Sequence, residues 1–447
     1  MKKILIIAIS MGLATSAVSL KGQDPSALAG YWEGGLIRGD SLQIMKAEFV
    51  AGPGSLVCRA TVPDWEFSEW TIPVLREGEQ ILLRFLYGEG RLTYVPGLHA
   101  LKGTMRNPRT GEEFAMQLNR CLKPAEKDIL HRELSIPSGT ATLSGTLYLP
   151  ARPGPHPCWI YFHGRDEGTR FFRPLLAAET AKRGVAGFLF DRRGEGRSTG
   201  DKKAAVFRDL VEDGVNIVRF LKTQPGIDPA QIGLIGWSSG GWIIPEVAVR
   251  IGNPAFIVTF AGPAASVWEQ QLQVVKARMK DSGKSFTDRD FENARKHEDL
   301  YQAFSHTGRG WEDVLKSNET ANAAPWKDYV DIPSSPDNPD TDWIRRFQTD
   351  PTPSLKKIKA PFLAFYGESD WGVPDEDNVP LLEVCLTEAG NKDYRVIVLP
   401  RADHWLLIPA GPAETGGGSG FVFRRTAPGF GQILMDWILN RVKTAEK

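Results

Sequence analysis

Cysteine is scarce in this chain. Its 447 residues hold 4, and none are spaced C-x-x-C, the pattern that zinc ribbons and redox dithiols need. Histidine numbers 7 and no H-E-x-x-H occurs, so no metal and no cofactor is expected. No sign of charge is in excess: Lys+Arg and Asp+Glu are both 54. A surface for nucleic acid or anionic lipid draws on a basic surplus, so no nucleic-acid partner is expected. Beyond the first two dozen residues no apolar run is long enough to cross a membrane, and the mature chain is expected to lack an integral membrane segment.

What is present begins with "MKKILIIAISMGLATSAVSLKGQD". A basic start, a short apolar stretch and then small and polar residues mark a secretory signal peptide, set at residues 1–23. Cleavage is placed after Ala17, with Thr15 two residues before it, or nearer Gln23. The segment has no cysteine to carry a lipid, and its Lys-Lys start is of bacterial type, so the expected location is the periplasm or outside. Export permits disulfides, and Cys58 and Cys121 fall in the same stretch, where a pairing stays open. Cys158 and Cys385 sit in apolar runs and read as buried thiols.

The remaining length suits two or three units. Residues 24–125 show short apolar runs broken by Gly and Pro, among them "SLQIMKAEFV", "GSLVCRATV", "EQILLRFLYG" and "EEFAMQLNRCL". They predict a small all-β domain, a sandwich or a lipocalin-like barrel. From residue 126 the rhythm changes. "HRELSIP" and "ATLSGTLYLP" predict a hairpin. "CWIYFHG", "VAGFLFDRRG", "QIGLIGW", "PAFIVTFAG", "PFLAFYG" and "YRVIVLP" read as buried strands alternating with helices. That alternation predicts an α/β fold, a doubly wound and mostly parallel sheet. Residues 264–355 break it with helix-like segments and a loop, "DIPSSPDNPDTD", and predict a helical cap insert over the edge where such sheets bind ligands.

The chemistry centres on "GWSSGG", Gly236 to Gly241. G-x-S-x-G between a strand and a helix predicts a tight turn that lifts Ser238 clear of its neighbours. A serine needs a base, and in this topology the partners follow as acid and then histidine, each after a later strand. Asp370 follows "PFLAFYG" and His404 follows "YRVIVLP". Glu368 and Asp375 rival Asp370, and Asp403 beside His404 reads as a turn residue. For the oxyanion, the N–H of Ser239 at a helix start and that of Arg165 after "CWIYFHG" are the candidate donors. Trp237 and His163 are the candidate substrate-contacting side chains, although His163 also reads as shaping its loop. "DRRGEGRSTGD" has the wrong glycine spacing for a dinucleotide loop; its arginines read as paired with local acids, with Arg193 or Arg197 as a lesser candidate for an acidic group on the substrate.

In combination, "HGRDEGTRFFRPL", "DRRGEGRSTGD", "GWSSGG", "YGESDWGVP" and "RADHWLL" resemble the α/β-hydrolase superfamily. More narrowly they are similar to secreted bacterial esterases and to serine aminopeptidase and acylaminoacyl-peptidase hydrolases. The resemblance spans His131 to Val442. It implies Ser238 as nucleophile, His404 as base and Asp370 as orienting acid. This chain departs from the pattern at Arg165, where relatives carry a small residue or serine, and at Trp237, where they often carry histidine. The expected activity is cleavage of carboxylic esters through an acyl-enzyme. The alternatives are an amide bond in a short peptide and, from another class, a lipid- or glycan-binding role for the β domain. The expected partner is a small-molecule ester or short peptide.

Overall fold

The computed structural model describes residues 28–444 apart from 40, 53–54, 66, 86–87, 108–110, 124–126, 166, 253 and 409–422. The expected signal peptide lies outside the described residues.

Eight antiparallel strands come first: β1 (Gly30–Arg38), β2 (Ser41–Gly52), β3 (Ser55–Val62), β4 (Phe67–Glu77), β5 (Gln80–Phe85), β6 (Gly88–Val95), β7 (Ala100–Arg106) and β8 (Glu113–Cys121). Each pairs with its sequence neighbours, and β1 also pairs with β8, so the sheet closes into a barrel and leaves no edge. Of the two expected forms, the barrel is the one adopted. Alternation along the strands drives one set of side chains inward, as the pattern of β3 shows. Trp32, Phe49, Leu83, Leu101, Phe114 and Leu118 are among the inward residues and form one continuous apolar core. Among the described residues, apolar side chains thus pack within the barrel interior. All four cysteines are free. Cys58 is buried inside β3 while Cys121 is exposed at the end of β8, so the open pairing resolves to two separate thiols.

The second sheet has eight strands: β9 (Ile129–Ser138), β10 (Ala141–Pro150), β11 (His156–Phe162), β12 (Ala186–Phe190), β13 (Ile227–Trp237), β14 (Ile257–Phe260), β15 (Phe362–Gly367) and β16 (Tyr394–Leu399). Their spatial order is β16-β15-β14-β13-β11-β12-β10-β9. The hairpin of β9 and β10 is antiparallel, and the six strands from β12 to β16 run parallel. Central strands such as β11 and β15 are buried at every position, because helices cover both faces. On one face lie α2 (Phe207–Leu221), α3 (Gly240–Ile251) and α9 (Asp375–Glu388). On the other lie α1 (Pro174–Lys182) and α10 (Phe430–Leu439).

Between β14 and β15 the cap insert folds as α4 (Val267–Asp281), α5 (Asp288–Thr307), α6 (Trp311–Ala323) and α7 (Pro339–Arg346), followed by the short α8 (Thr352–Leu355). "DNPDTD", expected as loop, instead opens α7. Asn338 caps it by accepting from the Asp340 N–H at 2.8 Å, and Pro339 supplies a first-turn proline. A last small hairpin, β17 (Leu407–Ile408) with β18 (Arg425–Thr426), follows β16.

Candidate active site

Four loops meet where the parallel strands end: those after β11, β13, β15 and β16. The turn after β13 carries Ser238 at φ 50°, a left-handed conformation that costs a serine strain. Its N–H donates to Phe260 O at 2.9 Å. The flanking glycines follow from close backbone approach: a Cβ at Gly240 would lie 2.4 Å from Phe162 O, one at Gly236 2.9 Å from the Gly240 carbonyl, and one at Gly241 2.6 Å from Gly262 Cα.

Asp370, after β15, has a fully buried carboxylate. One oxygen accepts from the N–H groups of Gly372 (2.8 Å) and Val373 (3.0 Å); the other accepts from His404 Nδ1 at 2.8 Å. An ionised carboxylate only accepts, so the His404 proton sits on Nδ1 and leaves the Nε2 lone pair free. Nε2 lies 2.9 Å from Ser238 Oγ, whose hydroxyl donates to it. The ring is 27% exposed, enough for a reactant to reach it. The rivals are placed elsewhere: Glu368 accepts from Arg401 N–H, and Asp375 begins α9.

Ser239 caps α3 by position, and Arg165 follows β11. Among the described residues no acceptor meets the N–H of either. The loop bearing Arg165 is clamped by Arg192, one of the "DRRGEGRSTGD" arginines read as paired with local acids, whose bonds to this loop the sequence did not signal. Its guanidinium donates to the carbonyls of Gly164 and Arg165, both at 3.1 Å, and to Glu195 at 2.8 Å. Burial opposes the charge on Glu195, but Arg192 and Lys202 together hold its carboxyl below the usual range. From the other side Glu167 accepts from Gly164 N–H (3.2 Å) and Tyr161 OH (2.8 Å).

The two expected substrate-contacting side chains are both buried. His163 donates through Nε2 to Phe190 O at 2.6 Å, so it ties the β11 end to β12. Trp237 is buried too: its indole donates to His404 O at 3.0 Å and packs 4.0 Å, centroid to centroid, from Trp405. A side chain alternates across a strand, and position 237 points into the sheet face beneath the histidine loop. The arginines of "DRRGEGRSTGD" are also occupied. Arg193 forks onto the buried Asp213 at 2.6 and 2.7 Å, and the Arg197 side chain, 77% exposed, reaches Glu133 at 3.4 Å. Burial pushes Asp213 up despite that arginine. Asp191 in turn holds Arg170 at 2.8 Å. The motif is a lock behind the loop that bears Arg165.

The exposed surroundings come from the cap and from loop neighbours. Arg165 pairs through its side chain with Asp340 of α7 and lies 4.3 Å over the Trp343 ring. Trp371, beside Asp370, is 45% exposed with Arg278 of α4 5.6 Å above it. Gln270 of α4 also donates to Gly372 O. Among the described residues no cluster of His, Cys, Asp and Glu is arranged to hold a metal, and no helix is long and apolar enough to cross a membrane.

Comparison with known proteins agrees with this architecture. A family model described as "Alpha/beta hydrolase family" matches residues 147–415, more than half of the chain. Esterase EstD of Thermotoga maritima is 21% identical over 280 residues, 60% of this chain and 59% of that protein. Thiohydrolase aneE of Aspergillus aculeatus is 38% identical over 115 residues, 26% of this chain and 34% of that protein. The matches thus span between a third and three fifths of these relatives' lengths. Among solved structures, the Pyrococcus horikoshii acylaminoacyl peptidase aligns over 93% of this chain and 57% of its own, with 15% identity and a TM-score of 0.46. The proline iminopeptidase of Mycobacterium smegmatis aligns over 69% and 98%, with 16% identity and a TM-score of 0.43.

Proposed function

The chain belongs to the alpha/beta hydrolase family, and on that premise we propose that it is a serine hydrolase that cleaves carboxylic esters through an acyl-enzyme. The observation that carries the reading is the row Asp370–His404–Ser238, with spacings of 2.8 and 2.9 Å. His404 Nε2 takes the hydroxyl proton as Ser238 Oγ attacks the carbonyl carbon, then returns it to the leaving alkoxide as the ester bond breaks. Asp370 keeps the Nδ1 proton in place and stabilises the imidazolium. The N–H groups of Ser239 and Arg165 donate to the tetrahedral oxyanion, the first with the α3 dipole behind it. Water, activated by the same imidazole, then releases the acid and frees the serine.

Esters are favoured over amides because an alkoxide leaves with less protonation than an amine. The curated Thermotoga maritima relative is itself called an esterase. Short p-nitrophenyl acyl esters test the reading. Ser238→Ala should lose about 10⁴-fold or more in kcat, the usual cost of removing a nucleophile that acts as part of a triad. Equal rates for variant and parent would eliminate the triad. Aminoacyl arylamides run beside the esters separate a peptidase from an esterase.

A further inference from the structure

The barrel buries a polar side chain that its own fold does not use. Gln43, on β2, is 2% exposed. A buried carboxamide is costly unless both ends are paired, and here both ends pair outside the barrel. Its oxygen accepts from the Phe423 N–H and its nitrogen donates to Arg424 O, each at 3.2 Å. Gln43 thus stands in for a strand neighbour to a segment of the hydrolase unit. Phe423 is seated in the barrel core, 5.3 Å from the Phe114 ring and beneath the Arg38 guanidinium at 4.5 Å. Thr426 Oγ1 adds a bond to Asp64 O at 3.1 Å.

This contact leads directly to the histidine. β18 pairs with β17, placing Thr426 opposite Leu407, and Leu407 is itself part of the barrel core. Arg424 pairs with Asp403, whose other oxygen accepts from the N–H groups of Trp405 (2.9 Å) and Leu407 (3.0 Å). His404 lies between those anchored residues. Its loop also holds two left-handed non-glycine residues, Arg401 and Leu406, both at φ 60°. Such residues persist only where their surroundings over-determine them.

We propose that the N-terminal barrel is a positioning domain for His404, and that Gln43 is the residue through which it acts. The kinetic part rests on the acyl-enzyme reading. A base must be held to a fraction of an ångström by rigid neighbours, and the barrel supplies that rigidity from outside the sheet.

The test uses the full chain with Gln43→Met, which keeps the volume and loses both bonds, and Thr426→Val, which loosens the contact from the hydrolase side. Rates are normalised to active sites titrated with a fluorophosphonate, so loss of folded protein does not count. Gln43→Met should lower kcat per site about 10-fold, in the range expected for a slightly misplaced catalytic group, with KM within about twofold. Thr426→Val should show a smaller fall of the same kind, and it serves alone should Gln43→Met not fold. Amide exchange across residues 401–408 should quicken in both, while Gln117→Ala, on the barrel's outer face, should match the parent. A folded Gln43→Met with parental kcat and parental exchange overturns the proposal. Should the parent hydrolyse no ester, the acyl-enzyme reading falls by itself, and exchange then decides: faster supports a positioning barrel, unchanged refutes it.

Discussion

The two sides of the site are held by different means. On the Ser238 side the backbone restraints come from the sheet unit, with the Arg165 side chain also paired to Asp340 of the cap. Glycines let β13 and α3 close to contact distance around Ser238, and Arg192 pins the neighbouring loop by two carbonyls while Glu195 balances its charge. On the histidine side the restraints come from two units. Asp370 and Trp237 hold His404 from the sheet, and the barrel holds the following residues through Phe423, Arg424 and Thr426. Ser238 sits on a turn whose contacts, to Phe162, Phe260 and Gly262, all lie within the sheet unit. His404 sits on a loop with two non-glycine residues of left-handed backbone, and the strand beside that loop bonds to barrel residues more than 300 positions away.

Breaking the histidine side at its acid should have the largest effect. Asp370→Asn keeps the shape but no longer holds the Nδ1 proton, and kcat should fall about 10⁴-fold with little change in KM, measured on p-nitrophenyl esters. Next comes the nucleophile side. Arg192→Lys keeps the charge beside Glu195 but loses the planar fork. Misplacing one oxyanion donor should cost about 10²-fold in kcat. It should quicken amide exchange across residues 163–168 and leave residues 401–408 as they were, the mirror image of Gln43→Met. A shared response of both segments to both variants would dissolve the distinction between the two sides.

The smallest effect lies in the cap, which both sides face. Glu298 in α5 is buried beside Asp331, and burial, with Asp331 adding to it, pushes its carboxyl up to about 8. The folded state then prefers the protonated acid. An unfolded glutamate ionises near pH 4.3, so the folded state loses stability as pH rises from there towards 8. Glu298→Gln removes that loss. Its melting temperature should exceed the parent's at pH 8 and converge with it near pH 4, by scanning calorimetry, with ester hydrolysis at pH 7 little altered.

Much of this was readable along the chain. Short apolar runs broken by Gly and Pro announced an all-β first domain, and unbroken apolar runs alternating with helices announced a covered parallel sheet, because burial leaves its mark along each strand. The order Ser238, Asp370, His404 was readable for the same reason: each follows its own strand, and parallel strands deliver their ends to one edge. Closure of the barrel was not, since a meander of eight strands has the same pattern whether or not β1 meets β8. Nor could the sequence say which polar residues face a reactant. His163 and Trp237 sit next to the chemistry in sequence yet point into packed interior, whereas Arg192 and Gln43, remote in sequence, reach the loops that matter. Local pattern reports whether a residue is covered; only the assembled chain decides what covers it, because a hydrogen bond depends on distance in space.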